Sequence, residues 1–369
     1  MTVRRQYLRT YAGLLGIGVG ALLQLSLDCL SLNCAFAEEP APTVEKTFQV
    51  KYFDINSGRI AFSYVHEKVK DIYVLDFKDL SVGPVVTSPG DDEAPMFSPD
   101  GRKLLFQSTM TGRPKIFISN SDGSDIQQLT TGEGQDENPS WSPDGKKVVF
   151  QSTRGGQGSD IYIVNADGTG LKALTTTHKK SVGPRWSPRG DEMLYATNTE
   201  WPGWDIIVHD LKTNTAKVMT KGLASYTRPY WHPDGSGFLF SYGSGDDTNI
   251  YQAFKGKVVP APIAQRVGKQ LDPVFDDTAR RIFFVGEARP GDGDFQLYMY
   301  DSRIPPIDNK GEPTKNIAQI LEVKVGAIRY PTWTAFPSVE SLMKDKKRKL
   351  SQVQTNGTTE QSLPPPQGQ

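Results

Sequence analysis

Short apolar runs recur through the middle of the chain, each bounded by polar turn residues. Leu104-Leu105-Phe106, Val148-Val149-Phe150, Met193-Leu194-Tyr195, Phe238-Leu239-Phe240 and Ile282-Phe283-Phe284 form one set. Ile116-Phe117-Ile118, Ile161-Tyr162-Ile163, Ile206-Ile207-Val208, Asn249-Ile250-Tyr251 and Leu297-Tyr298-Met299 form a second set, one behind each of the first. Their β-branched and aromatic content reads as strands. Ahead of the pairs stands a proline, any residue, an aromatic and a tight turn, as in Pro139-Ser140-Trp141-Ser142-Pro143-Asp144-Gly145. The phrase begins at Pro95, Pro139, Pro184 and Pro229, a spacing of 44 or 45 residues, with weaker copies at Pro273-Val274-Phe275 and Pro331-Thr332-Trp333. A self-similar period of this length, with four short strands in each copy, predicts propeller blades.

Within one period the strands are named a to d. Strand a carries Pro-x-aromatic. Ser-Pro-Asp-Gly then turns the chain: proline presets φ, and glycine supplies positive φ without steric cost. Strands b and c are the two apolar runs. Asp167-Gly168 is a hairpin signal, and Leu171 to Thr175 closes the period as strand d. Strands b and c recur early, at Arg59-Ile60-Ala61-Phe62-Ser63 and Asp71-Ile72-Tyr73-Val74-Leu75, without a Pro-x-Trp before them. Pro331-Thr332-Trp333 is a strand a with nothing after it. The two fragments complete each other. Phe53 is an alternative, degenerate strand a, but it lacks the proline and the turn. The expected fold is therefore all-β: a six-bladed β-propeller whose C-terminal strand closes blade one and removes exposed sheet edge.

The expected organisation is a signal peptide over 1–37, a short linker over 38–57, the propeller over 58–337 and a polar, disordered tail over 338–369. Arg4, Arg5 and Arg9 form a basic n-region, residues 14–27 are apolar, and Ala35-Phe36-Ala37 is a small-x-small cleavage signal, placing cleavage after Ala37. The paired arginines also fit a twin-arginine signal, with an ordinary secretory n-region preferred. Cys29 and Cys34 both precede the cleavage signal, so the mature chain carries no thiol chemistry. The 42 basic and 42 acidic side chains balance, and no basic stripe marks a nucleic-acid partner.

Catalytic machinery is not legible. There is no Gly-x-Ser-x-Gly elbow, and His66, His178, His209 and His232 lack metal-ligand spacing. No catalytic residue, metal or cofactor is expected. Asn120-Ser121-Asp122-Gly123 and Asn165-Ala166-Asp167-Gly168 lack the ligand spacing of calcium loops and read as hairpin turns. Trp141, Trp186 and Trp231 share one repeat position and read as core wedges between blades. Trp201 and Trp204 fall outside the repeat, in one b–c loop, as local packing or as contact anchors.

The periods resemble the TolB-type β-propeller repeat: the aromatic-Ser-Pro-Asp-Gly phrase after proline, the Ile-Tyr of strand c, the Asp-Gly hairpin, and the Leu-Thr ending at Leu129-Thr130 and Leu174-Thr175. The last strand, from Gly326 to Trp333, is similar to the closing strand of that family. The resemblance implies a periplasmic, non-catalytic scaffold of the Tol-Pal envelope system, peripheral to the membrane and monomeric, binding a protein such as a peptidoglycan-associated lipoprotein. The family's separate N-terminal α/β domain has no counterpart between the signal and the propeller, which leaves that domain's contacts in doubt.

Strand direction alternates within a blade, so the residues before each Pro-x-aromatic gather near the axis on the face of the d–a loops. Glu93, Glu137, Asn138, Arg228, Asp272 and Arg329 are the expected partner-binding residues, with Trp201 and Trp204 as further loop anchors. A carbohydrate- or small-ligand-binding propeller is the second reading. A propeller enzyme such as a polysaccharide lyase is the third.

Overall fold

A computed structural model describes residues 48–335, apart from 52–54, 56, 157, 177–179, 199–202, 221–227, 255–256, 265–267, 305–315 and 325. The signal region 1–37, the tail 338–369, Phe53, His178 and Trp201 lie outside the described residues. The described secondary structure is strand, with one short 3-10 turn at Gly245–Asp247.

Six antiparallel sheets form six blades. Blade two runs Asp92–Phe97, Lys103–Ser108, Lys115–Asn120 and Gln127–Gln128 from strand a to strand d. Blade three runs Asp136–Trp141, Lys147–Ser152, Asp160–Asn165 and Lys172–Ala173, and blade four Ser181–Trp186, Glu192–Thr197, Asp205–Asp210 and Thr215–Val218. Blade five follows with Tyr230–Trp231, Gly237–Tyr242, Asn249–Phe254 and Lys257–Ala264, and blade six with Gln270–Phe275, Arg281–Glu287, Phe295–Asp301 and Ile317–Val323.

Blade one is closed as the sequence predicts. Its inner strand is Ala327–Thr334, paired antiparallel to Arg59–His66, with Val69–Asp76 and Ser81–Val86 outside it. Trp333 stacks on Phe283 of blade six, 5.1 Å between centroids, and lies 5.9 Å from Phe77 of blade one. Gly58 leaves room for that indole: its φ is +93°, and a Cβ there would sit 2.3 Å from the ring.

The segment expected as a linker is corrected in part. Phe48–Val50 is a strand, paired with Ile317–Val323 as a fifth, outermost strand of blade six. Phe48 packs on Tyr64 and Tyr73 of blade one at 4.9 and 5.2 Å. Its burial in that aromatic cluster gives three residues a reason to order where the sequence offers no turn signal.

Packing explains the run of apolar residues in strand b. Each blade is covered on both faces by its neighbours, so Lys147–Ser152 is buried at every position after the first. In blades two, three and four strand d faces solvent, and Gln127–Gln128, Lys172–Ala173 and Thr215–Val218 are exposed throughout. The buried side chains form six clusters, one for each gap between neighbouring blades. The largest lies between blades six and one, where the ring closes.

Candidate functional site: the axial channel

The six inner strands line the axis, and a repeated backbone kink shapes what they present. The residue before the strand-a proline is left-handed at Ala94, Asn138, Gly183, Asp272 and Tyr330, with φ between 51° and 59°. Register shifts place a bulge at each of these positions. A residue before proline prefers extended backbone, and a side chain at positive φ costs about 1–2 kcal/mol. In four of the five, the freed N–H finds an acceptor on the preceding blade, which holds the kink. Ala94 donates to Ser63 Oγ at 3.1 Å, Asn138 to Gln107 Oε1 at 2.8 Å, and Gly183 to Gln151 Oε1 at 3.0 Å. Tyr330 donates to Asp272 Oδ2 at 3.3 Å. Three of these acceptors follow the strand-b aromatic directly, in Phe62-Ser63, Phe106-Gln107 and Phe150-Gln151. That recurring polar residue was the available sequence signal.

The pre-proline mouth carries the expected site residues in three groups. Glu93 meets Lys70 at 3.2 Å, beside Asp91 on the same lysine. Glu137 accepts Gln151 Nε2 at 2.9 Å, while Asn138 is buried and gives its Nδ2 to Gln151 Oε1 at 2.8 Å. Arg228, Asp272 and Arg329 belong to the other side. Arg228 lies with its guanidinium 3.5 Å from the centre of the Tyr330 ring, and Arg329 lies equally close to Phe295. Burial pushes the Arg329 guanidinium below its ordinary range, and Asp272 opposes that. Arg228 is withdrawn from the rim into the channel. Trp204 is half-buried and packs against the cluster between blades four and five.

Deeper in, the channel narrows to a cavity of about 20 Å³ lined by Arg185, Arg228, Tyr230, Asp272, Tyr330 and neighbouring inner-strand residues. Arg185 was not singled out in the sequence, because it is the variable residue of Pro184-Arg185-Trp186. Burial, followed by the nearby charge of Arg228, pushes its guanidinium down to about 10.

Past this waist the channel widens toward the Ser-Pro-Asp-Gly turns into a funnel of about 370 Å³. Phe97, Trp141, Trp186, Trp231, Phe275 and Trp333, one aromatic from each blade, line it. The reading of the tryptophans as core wedges is accurate for Trp141 and Trp231, which are 5% and 3% exposed. Their indole N–H groups tie them to the preceding blade, at Met96 O (3.3 Å) and Arg185 O (3.1 Å). Trp186 packs against the cluster between blades three and four but, like Trp333, is only half-buried, and both line the funnel.

Two equivalent carboxylates begin strand a in blades two and three. Asp136 is fully buried and meets Lys115 at 3.1 Å and Arg154 at 2.7 Å. Asp92 is as deeply buried, but its partners are hydroxyls. Ser88 donates to its Oδ1 at 3.0 Å, and Oδ2 has no partner. Burial pushes the Asp92 carboxyl up to about 6, against the bonds from Ser108 and Ser88.

Among the described residues no three His, Cys, Asp or Glu side chains are grouped to hold a metal. His209 pairs with Asn214 at 3.0 Å and His232 with Asp234 at 2.6 Å, while His66 stacks on Tyr64. No described helix is long and apolar enough to cross a membrane.

Residues 51–225 match the TolB beta propeller domain. The fold is similar to the crystal structure of TolB from Acinetobacter baumannii, with a TM-score of 0.63 and 19% identity over 78% of this chain and 68% of that one. It is also similar to a putative TolB from Agrobacterium tumefaciens, with a TM-score of 0.57 and 19% identity over 73% of this chain and 91% of that one. A stretch of 72 residues is 32% identical to an uncharacterized protein of Agrobacterium fabrum. That stretch is 19% of this chain and spans only a quarter (25%) of the relative's length.

Proposed function

We propose, on the premise that this chain is a TolB-type β-propeller repeat protein, that it works as a non-catalytic, exported scaffold in the periplasm, in cell-envelope integrity of the Tol-Pal kind. Its partner is a protein, and the family resemblance names a peptidoglycan-associated lipoprotein. The observation that carries this reading is the pre-proline mouth. The bulges and the hydrogen bonds that hold them repeat from blade to blade, while the charges they present change: Glu93, Glu137, Asp272, Arg329. Side chains that vary on a constant rigid frame are where recognition of one partner can be specified. Mixed charge at a concave rim suits a polar protein contact and its orientation.

Capture of the lipoprotein's soluble domain tests this. The parent protein should retain it from a crosslinked envelope extract. Glu137→Lys together with Arg329→Glu should weaken capture without lowering Tm, and the effect should shrink at high salt because rim charges act mainly on association. Asp122→Lys with Asp167→Lys changes hairpin turns outside this mouth and should leave capture intact. Equal capture by the parent and the Glu137/Arg329 variant would reject the reading.

A further inference from the structure

At the waist of the channel, two guanidinium groups have fewer acceptors than donors. Arg228 is 8% exposed, and its Nε and Nη1 are buried without a hydrogen-bond partner. Arg185 gives Nη1 to the carbonyls of Pro184 and Pro139, at 3.0 and 3.5 Å, and its Nε has no partner. Both line the same small cavity, where Asp272 is the one carboxylate among the lining residues. Asp272 already accepts the Tyr330 N–H. One buried and one half-buried cation lining a cavity with a single carboxylate leave an excess of positive charge that a second anion would relieve.

The geometry says which kind of anion. Stacking on Tyr330 at 3.5 Å fixes the plane of the Arg228 fork. A fixed guanidinium fork matches a planar carboxylate by paired hydrogen bonds. The waist, about 20 Å³, has room for little more than such a group. Met96, Arg185, Tyr230 and Thr332 line both the waist and the funnel, so the two spaces adjoin. The funnel, about 370 Å³ with aromatic walls, falls in the size range of pockets that enclose a small molecule.

We propose that the channel binds a small free aromatic carboxylic acid, its carboxylate held at the waist by Arg228 and Arg185 and its ring lying in the funnel. This site adjoins the pre-proline mouth and shares Asp272 with it, but it does not depend on the partner contact proposed there.

Calorimetry with indole-3-acetate and its neutral amide tests the assignment on the unaltered protein. The acid should bind at least about tenfold more tightly than the amide, as expected for charge-assisted hydrogen bonds in a buried site. Inorganic phosphate, which leaves the funnel empty, should bind more weakly than the acid. Arg228→Met should bring the acid down to the affinity of the amide. It should melt at or above the parent temperature, because it removes an unpaired buried cation. Arg185→Lys keeps the charge, loses the fork and should weaken the acid alone. Equal affinities for acid and amide, phosphate binding as tight as the acid, or full acid binding by Arg228→Met would each overturn the proposal. Tighter binding of a tryptophan-ending peptide with a free C-terminus than of indole-3-acetate would assign the carboxylate to a protein chain end and overturn the free acid.

Discussion

The side-chain carbonyl of Gln151 accepts the backbone N–H of Gly183 at 3.0 Å, so strand b of blade three holds the bulge of blade four. The same oxygen accepts Asn138 Nδ2, and the Gln151 amide nitrogen donates to Glu137. One glutamine thus joins two blades and orders two residues of the charged mouth. Gln107 holds Asn138 in the same manner from blade two.

Gln151→Ala should therefore destabilise the propeller by roughly 1–3 kcal/mol, the cost of stranding the buried Gly183 donor. Urea unfolding measures this. A change within a few tenths of a kcal/mol would mean that another acceptor replaces the glutamine and that the latch is not structural.

Ring closure gives the second prediction. Truncation after Lys324 removes Ala327–Thr334 and with it the buried Ile328 and the stacked Trp333. Tm should fall by more than roughly 10 °C, since several kcal/mol of burial are lost and each is worth about 2–4 °C in a large domain. Truncation after Lys344 keeps the strand and should melt with the parent. Equal Tm values for the two truncations would contradict closure through blade one.

Asp92 sets a pH dependence. Its carboxyl is raised from 3.8 to about 6, so within that window the folded protein holds a proton that the unfolded chain has released. Stability from this group is therefore greatest at low pH and declines as pH rises through the window. Asp92→Asn cannot ionise, and at about pH 7.5 it should exceed the parent by up to roughly 3 kcal/mol, at 1.36 kcal/mol per pKa unit. Near pH 4 the two should converge. Unfolding curves at both pH values decide it, and a constant difference between them would contradict the assignment.

The turn of blade six, Asp276-Asp277-Thr278-Ala279, ends in alanine where those of blades two to five end in glycine. Gly101, Gly145, Gly190 and Gly235 take positive φ after strand a, and Ala279 takes the same conformation at φ 56°. Ala279→Gly relieves about 1–2 kcal/mol of left-handed strain against about 0.4–1 kcal/mol of added unfolded-chain entropy. A net gain of up to roughly 1 kcal/mol should appear in denaturant unfolding. A loss would show that the alanine methyl packs usefully.

The repeat made the blades and their closure legible, because turn chemistry and strand composition coincide in every period. Three features were hidden for separate physical reasons. Phe48–Val50 owes its order to partners near Val323 and Tyr64, far along the chain. The pre-proline bulge runs against the local preference of its residues and is stabilised by a neighbouring blade, so local rules point the wrong way. The funnel arises from convergence on the axis: a Trp in a repeated core position is indistinguishable in sequence from one that stays partly exposed, as Trp186 and Trp333 do. Arg228 was legible as an axial residue, but its withdrawal from the rim depends on the Tyr330 ring beneath it.

The two strands nearest the ends of the described chain cross the same seam in opposite senses. Phe48–Val50 fastens to the outer edge of blade six with three paired residues, and Ala327–Thr334 is set into the inner edge of blade one. Mechanically these are a light catch and a deep bolt. Tension drawn through residue 48 would peel the catch first and leave six closed blades turning on an intact axis. Only a pull that frees the bolt would break the ring open and part the channel walls.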